Sequence, residues 1–372
     1  MKMLVVSNMF PNKRFPSYGI FVKNFCDQLD ALQISYDLSV MKKSEWKAGK
    51  FLRYAGFYLK TISRIMFSRY DLVYVHYASH STPPVLWANK LKKQRIFVNA
   101  HGSDVVPENA KQEKMQKYTW QILQVSERII VPSAYFQHYV SEKYQLPLEK
   151  IWIYPSAGVN PAVFYPMRQE EIDNIRNRMN LPKDQPIFGM ISRASAGKGW
   201  DTFLKACKKY VEQHSDAHFM FVGDGVEFGK FKEMQLALHL DGEITVIDHL
   251  VSQDILAQLY NAIDYLVFPT QREGESLGLV ALEAMACGTP VIASAYAAPK
   301  DYVRDGENGF QFQMGDSNEL CSRIRRAVEC FVKPEYAKMC QNAQKTASSF
   351  LVSAITQNLR EILENSSWSN HT

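Results

Sequence analysis

The sequence predicts an α/β chain of two doubly wound domains, and three observations carry that reading. Short apolar runs alternate with helix-like stretches along nearly the whole chain, as mostly parallel sheets covered on both faces require. The stretch 155–166 (PSAGVNPAVFYP) interrupts the rhythm with three prolines and a glycine, and the alternation restarts after it. The length of 372 residues suits two domains, each able to bury its own core. The expected domains are 1–160 and 161–345, with 346–372 as a C-terminal helix packing back on the first domain plus a polar tail. Two such domains facing each other would gather strand-end loops from both around one cleft.

In the first half, strands are expected at 3–6, 36–40, 71–76, 95–100, 128–131 and 151–154. The loop 8–19 holds Pro11, Pro16 and Gly19 and opens a helix whose Phe21, Phe25, Leu29 and Leu32 share one face. In the second half, strands are expected at 187–191, 219–222, 244–247, 265–269 and 291–293, with a helix over 200–213. Residues 335–363 are helical in character. Between 42 and 69 lie eight basic residues, Lys47 among them, and one acid, Glu45. There Leu52, Ala55, Leu59, Ile62 and Met66 form the expected core stripe, and Lys50, Arg53, Phe57, Lys60 and Arg64 form another beside it. A basic amphipathic helix with aromatics can lie on an anionic membrane or grip a phosphate-bearing acceptor; a solvated charged face is the plainer alternative.

Apolar content of 46% and charged content of 22% are ordinary for a soluble globular chain, and a net charge of +5 demands no nucleic-acid partner. Six cysteines without a C-x-x-C pair read as reduced thiols of a cytoplasmic protein. No secretory leader and no apolar run near the roughly 20 residues of a membrane span is seen, so the sequons at Asn365 and Asn370 carry no weight. There is no D-x-D triplet, no H-E-x-x-H, no Cys/His cluster and no G-x-S-x-G, so neither a metal nor another cofactor is expected.

The stretch 271–294 (QREGESLGLVALEAMACGTPVIAS) concentrates the chemistry. Ser276 can cap a helix whose Leu277, Val280, Ala281, Ala284 and Met285 share a buried face. Glu275 then stands at the helix start, where free N–H groups attract anions, and Glu283 about 12 Å further along. Such a site suits a nucleotide sugar: sugar hydroxyls on one glutamate, diphosphate on the amides, ribose on the other glutamate. Taken alone, such a pair is more often structural than functional: a favourable end charge and a solvated mid-helix residue. Residues 192–199 (SRASAGKG) follow a strand and set Arg193 and Lys198 around small residues that let a phosphate approach; this is not a P-loop. In 222–227 (VGDGVE), Gly223, Asp224 and Gly225 allow a tight turn near a ligand, but the spacing misses the dinucleotide fingerprint. In 99–104 (NAHGSD), His101 sits at a strand end, able to donate to a sugar or phosphate or to move a proton; His76 and His80 are weaker candidates. Gly19 could open the first helix toward an anion.

Together these strings resemble the large group of retaining glycosyltransferases with the GT-B fold, two Rossmann-like domains. The likeness is strongest over 192–199, 223–225 and 268–309, and 16–24 (PSYGIFVKN) resembles a subgroup from surface-polysaccharide clusters. The resemblance implies a metal-independent hexosyltransferase. It would move a sugar from a nucleotide-diphosphate donor, UDP-sugars ahead of GDP- or ADP-sugars, to a hydroxyl of a glycan or lipid-linked glycan at the inner membrane surface. It implies that Glu275 holds sugar hydroxyls, that the backbone of Ser276, Leu277 and Gly278 contacts sugar and phosphates, and that Glu283 binds the ribose. Arg193 and Lys198 would neutralise the leaving diphosphate, Gly19 would approach it, and His101 would contact the transferring sugar. The chain departs from the family pattern at Tyr18 before Gly19, at 195–197 and at Asp248-His249-Leu250, near the expected nucleobase. A catalytically idle GT-B subunit that binds nucleotide or glycan is the alternative, and a GT-B sugar-nucleotide epimerase a third reading.

Overall fold

The computed structural model describes residues 1–16, 18–45, 49–155, 158–249 and 252–364. Ser17, Lys47, Leu250, residues 156–157 of the expected linker, and the tail with Asn365 and Asn370 lie outside the described residues. The chain divides into two compact units, Met1–Ala157 with Ile355–Thr372, and Gly158–Ala354.

The first unit is built on six parallel strands: β1 (Lys2–Ser7), β2 (Ser35–Val40), β3 (Leu72–His76), β4 (Ile96–Asn99), β5 (Arg128–Val131) and β6 (Ile151–Ile153), in the order β2-β1-β3-β4-β5-β6. Side chains alternate between its faces. Met3, Val5, Tyr74, Phe97 and Ile130 pack under the helices Ile20–Ala31 and Val352–Glu364. Leu4, Val6, Val75 and Val98 pack on the other face, under Lys50–Phe67, Pro83–Leu91, Ala110–Val125 and Ala134–Tyr144. Ile355, Leu359, Ile362 and Leu363 anchor the C-terminal helix, and Arg128 donates to the Ile362 carbonyl while lying over Trp152.

The second unit holds β7 (Ile187–Ile191), β8 (His218–Val222), β9 (Ile244–Ile247), β10 (Tyr265–Phe268), β11 (Val291–Ser294) and β12 (Gly309–Phe312), all parallel, in the order β12-β11-β10-β7-β8-β9. Strand β12 is absent from the sequence reading. The expected helical segment 335–363 is two helices, Pro334–Ser348 and Val352–Glu364. Between them Phe350 accepts the Val159 N–H at 2.8 Å and Val352 donates to Val159 at 3.0 Å, which interrupts the helical ladder.

The helix Lys50–Phe67 is turned relative to the expected stripe. Phe57, Thr61 and Ile65 are buried, whereas Leu52 and Leu59 are exposed. The bulkier face wins: Tyr54, Phe57 and Tyr58 fill the core, and Thr61 Oγ1 bonds Ser39 Oγ of β2 at 2.8 Å. Phe57 is therefore no part of a binding surface. Arg64 is half-buried in a depression with Asp30, Tyr36 and Asp37, while Lys50 and Lys60 remain exposed and Arg53 partly so.

Candidate functional site

In the second unit the winding reverses between β7 and β10, and ligands of such sheets bind outside the strand ends at that point. There the loops leaving β7 and β10 meet. Lys198 Nζ donates to Glu275 Oε2 at 2.7 Å, with the two side chains 16% and 14% exposed. Thr270 Oγ1 reaches the same oxygen at 3.4 Å, and the ammonium lies 5.9 Å from the centre of the Phe268 ring. Both partners keep some contact with water, so removing one member strands the other charge less completely than in a fully buried pair. Among the described residues Lys198 is the cation paired with Glu275; Arg193, expected beside it, is exposed.

The β7 loop is braced from both sides. Gln271 N–H bonds the Gly197 carbonyl at 2.7 Å, and Ala194 N–H bonds the Asp224 carbonyl at 2.6 Å. Gly223 and Gly225 were expected to leave room for a ligand. A Cβ on them would instead strike the carbonyls of Ser192 and Ala194, so backbone of the chain's own β7 loop takes that space. Both glycines thus let 222–225 pack closely against 192–199.

The helix after Glu275 begins later than expected. It spans Leu279–Ala286, and Gly278, in the left-handed region at φ 73°, caps it in place of Ser276. The Tyr302 hydroxyl donates to the carbonyls of Leu277 at 3.0 Å and Gly278 at 3.1 Å, and Ala298 N–H donates to the Glu275 carbonyl at 3.2 Å. These bonds fix 275–278 as a turn. The first N–H groups of the helix, which have no carbonyl four residues back within it, face away from its body.

Glu283 is not solvated as a mid-helix glutamate usually is. It is 7% exposed, and its Oε2 accepts the Tyr260 hydroxyl at 3.1 Å. Burial pushes its pKa up to about 7, against the smaller lowering effect of that hydrogen bond. It faces Tyr260 while Glu275 faces Lys198. Asp248 and His249 are exposed, with Oδ1 and Nδ1 3.7 Å apart.

In the first unit, β1, β3 and β4 lie side by side, and their carboxyl-end loops hold a second cluster. His76 Nδ1 is 3.1 Å from His101 Nε2, and Phe21 lies 4.2 Å from the His101 ring. Burial lowers the His76 pKa well below its usual value and takes that of His101 down to about 3. A ring kept neutral in this way can donate or accept a hydrogen bond. Asp104 organises its loop: Oδ1 accepts the N–H groups of His101 at 3.0 Å and Gly102 at 2.9 Å, and Oδ2 accepts that of Ala78 at 2.7 Å. Sequence reasoning gave Asp104 no role, since its carboxylate reaches back to N–H groups two and three residues earlier and across to Ala78. His80 bonds Ser79 at 3.0 Å. Gly19, at φ 76°, caps Ile20–Ala31, and a Cβ there would come within 2.7 Å of the Met9–Phe10 peptide. Among the described residues no three His, Cys, Asp or Glu side chains form a metal-sized cluster.

Residues 171–346 match the family model described as glycosyl transferases group 1, and residues 22–162 match that of glycosyltransferase family 4. A D-inositol 3-phosphate glycosyltransferase of Thermomonospora curvata is 29% identical over 217 residues, 55% of this chain and 50% of that protein. The chain spans about half the length of the curated relatives it matches. Sucrose-phosphate synthase of Thermosynechococcus elongatus shares the fold with a TM-score of 0.78 at 20% identity, over 98% of both chains. Anabaena Alr3699/HepE, solved in complex with UDP, gives 0.76 at 19% identity over 98% of this chain and 99% of that one. At such identities the likeness is one of fold, the two-sheet GT-B architecture.

Proposed function

We propose that this chain, as a member of the group 1 glycosyltransferase family, is a retaining, metal-independent hexosyltransferase acting in surface polysaccharide synthesis. It moves a sugar from a nucleotide-diphosphate donor to a hydroxyl of a glycan or lipid-linked glycan. The observation that carries this reading is the Lys198–Glu275 pair at the β7/β10 reversal, inside the segment matching the group 1 model.

In the reaction the bond from the anomeric carbon to the phosphate oxygen breaks, its electron pair leaves with the nucleotide, and the acceptor hydroxyl forms the new bond and passes its proton to the departing diphosphate. Charge develops on the departing diphosphate. Lys198, released from Glu275 to the phosphate, and Arg193 neutralise it, and the N–H groups at the start of Leu279–Ala286 add donors. Glu275 accepts sugar hydroxyls, and Glu283, when ionised, accepts those of the ribose. Gly19 and the neutral His101 act on the diphosphate and the transferring sugar. UDP is favoured because HepE was solved with UDP and with UDP-glucose. Retention rests on the family resemblance.

The test is nucleotide release from UDP-, GDP- and ADP-sugars with candidate acceptors, followed by NMR of the anomeric configuration. Acceptor-dependent release from a UDP-sugar with retained configuration supports the proposal. Binding of nucleotide without turnover of any donor would assign the chain to an idle subunit instead.

A further inference from the structure

Strand β3 runs Leu72-Val73-Tyr74-Val75 and then ends in a polar residue, His76, with no exposed surface. The rings of Phe25 at 4.6 Å, Tyr74 at 4.9 Å and Phe21 at 6.0 Å stand around it. An imidazole buried among aromatics gives up its hydration, so its nitrogens call for partners within the protein. Nδ1 has one, His101 Nε2 at 3.1 Å. Nε2 is buried and has no hydrogen-bond partner among the described residues. A leucine or valine would fill this space without an orphaned nitrogen, so packing alone does not account for a histidine here.

The orphan decides how the two rings share their protons. Their centres are 5.3 Å apart and their planes differ by 22°, as when two imidazoles meet edge to edge through one hydrogen bond. Each neutral ring carries one N–H. If His101 donated from Nε2, the proton of His76 would sit on its own Nε2, a buried N–H without an acceptor. The ring carbons nearby offer no lone pair, and the Tyr74 hydroxyl is already engaged by Asn99 Nδ2 at 3.0 Å. If His76 donates from Nδ1, only a bare lone pair is left unpaired, and buried orphan N–H groups are the rarer kind. The proton of His101 is then on Nδ1. Burial keeps both rings neutral, so neither gains a second proton near pH 7.

We infer that His76 is a positioning residue: by donating from Nδ1 it fixes the ring plane of His101 and confines the proton of that ring to Nδ1, so that His101 meets the transferring sugar as an Nδ1–H donor. With no surface of its own, His76 acts through His101. The backbone of His101 is held separately, by Asp104, so ring and main chain are set by different residues. The contact with the sugar rests on the proposed function; control of the tautomer does not.

Long-range proton–nitrogen correlation spectra of the histidine-labelled full chain near neutral pH test it. The signals of His101 are those missing from His101→Asn. They should show a protonated Nδ1 and a bare Nε2. A proton on His101 Nε2 would overturn the inference, without recourse to any variant of His76. In His76→Leu, folded by circular dichroism, His101 should lose its single tautomer and populate the Nε2–H form. An unaltered Nδ1–H ring in that variant would also overturn it, because another group would then hold the proton. Turnover of His76→Leu should fall roughly tenfold, the factor for one hydrogen bond. A mixed tautomer with full turnover would fault the sugar contact of the proposed function and leave tautomer control by His76 standing.

Discussion

Strands β7 and β10 are closed at both ends by an ion pair, and the two pairs differ in how far their atoms are committed. At the amino ends, Arg176 Nη2 donates to Asp264 Oδ2 at 2.8 Å. The same carboxylate oxygen accepts Ile187 N–H at 2.8 Å, Arg176 Nε donates to the Ala262 carbonyl at 2.9 Å, and the Tyr336 hydroxyl donates to the Asp264 carbonyl at 3.1 Å. At the carboxyl ends, Glu275 receives one ammonium and one long hydroxyl bond, and both partners keep more surface than the lower pair. A guanidinium bonded to a backbone carbonyl and to a carboxylate that itself accepts a backbone N–H fastens the sheet. A point-charge ammonium against a lightly held carboxylate can change partners when a phosphate arrives. The same chemistry thus serves stability at one end of two strands and, on the proposed reading, catalysis at the other.

The largest expected effect separates the two pairs. Asp264→Ala strands the buried Arg176 charge and should lower unfolding free energy by about 3–5 kcal/mol in urea titrations, with turnover per folded molecule unchanged. Glu275→Ala and Lys198→Ala should each cut turnover by about 10²-fold or more while shifting stability much less. Loss of turnover in folded Asp264→Ala protein would make the lower pair part of the site. Near wild-type rates in folded Glu275→Ala or Lys198→Ala would remove the upper one.

Most of this frame is legible in sequence because buried parallel strands are nearly pure apolar runs, and eleven of the twelve were placed from them. Strand β12 was not, since Gly309-Phe310-Gln311-Phe312 is four residues long, opens with glycine and follows a turn-rich loop. The glutamates and Lys198 could be named from their spacing, but their pairing could not: residues 77 apart meet only once strand order is known. Periodicity also misjudged Lys50–Phe67, because two apolar stripes compete there and aromatic bulk, with Thr61 bonded to Ser39, decided which one faced the sheet. The burial of Glu283 was hidden for a related reason, since Leu279–Ala286 is covered nearly all round and no polar face marks the outside.

Glu283 sharpens the contrast through pH. Its folded pKa of about 7 exceeds the ordinary value of 4.5, so the unfolded chain gives up the proton first as pH rises. Its contribution to stability is complete below about pH 4.5 and is lost as pH climbs through 7, on the order of 2 kcal/mol between pH 5 and pH 8. Urea midpoints for Glu283→Gln should lack that fall. Calorimetry with UDP should show the reverse trend in affinity, rising by up to roughly tenfold over the same range as the carboxylate ionises to accept ribose hydroxyls. A flat affinity profile, unchanged in Glu283→Gln, would confine this residue to the core.

The smallest expected effect lies with two tyrosines, one for each end. Tyr336 steadies Asp264 below, and Tyr302 holds the carbonyls of Leu277 and Gly278 above. Each hydroxyl donates chiefly to backbone carbonyls, Tyr336 with a longer contact of 3.4 Å to the Asp264 carboxylate, and at about 1 kcal/mol for such a bond Tyr336→Phe and Tyr302→Phe should destabilise the fold by similar amounts. Only Tyr302 fixes the turn between Glu275 and the helix whose first N–H groups are assigned to the diphosphate. Tyr302→Phe should therefore also loosen that turn and raise the donor KM several-fold, whereas Tyr336→Phe leaves KM where it was. Equal KM values in the two variants, at matched stability, would mean that 275–278 is held without the Tyr302 hydroxyl, by the Ala298 N–H and packing. The Gly278 turn would then be a helix cap without a part in donor binding.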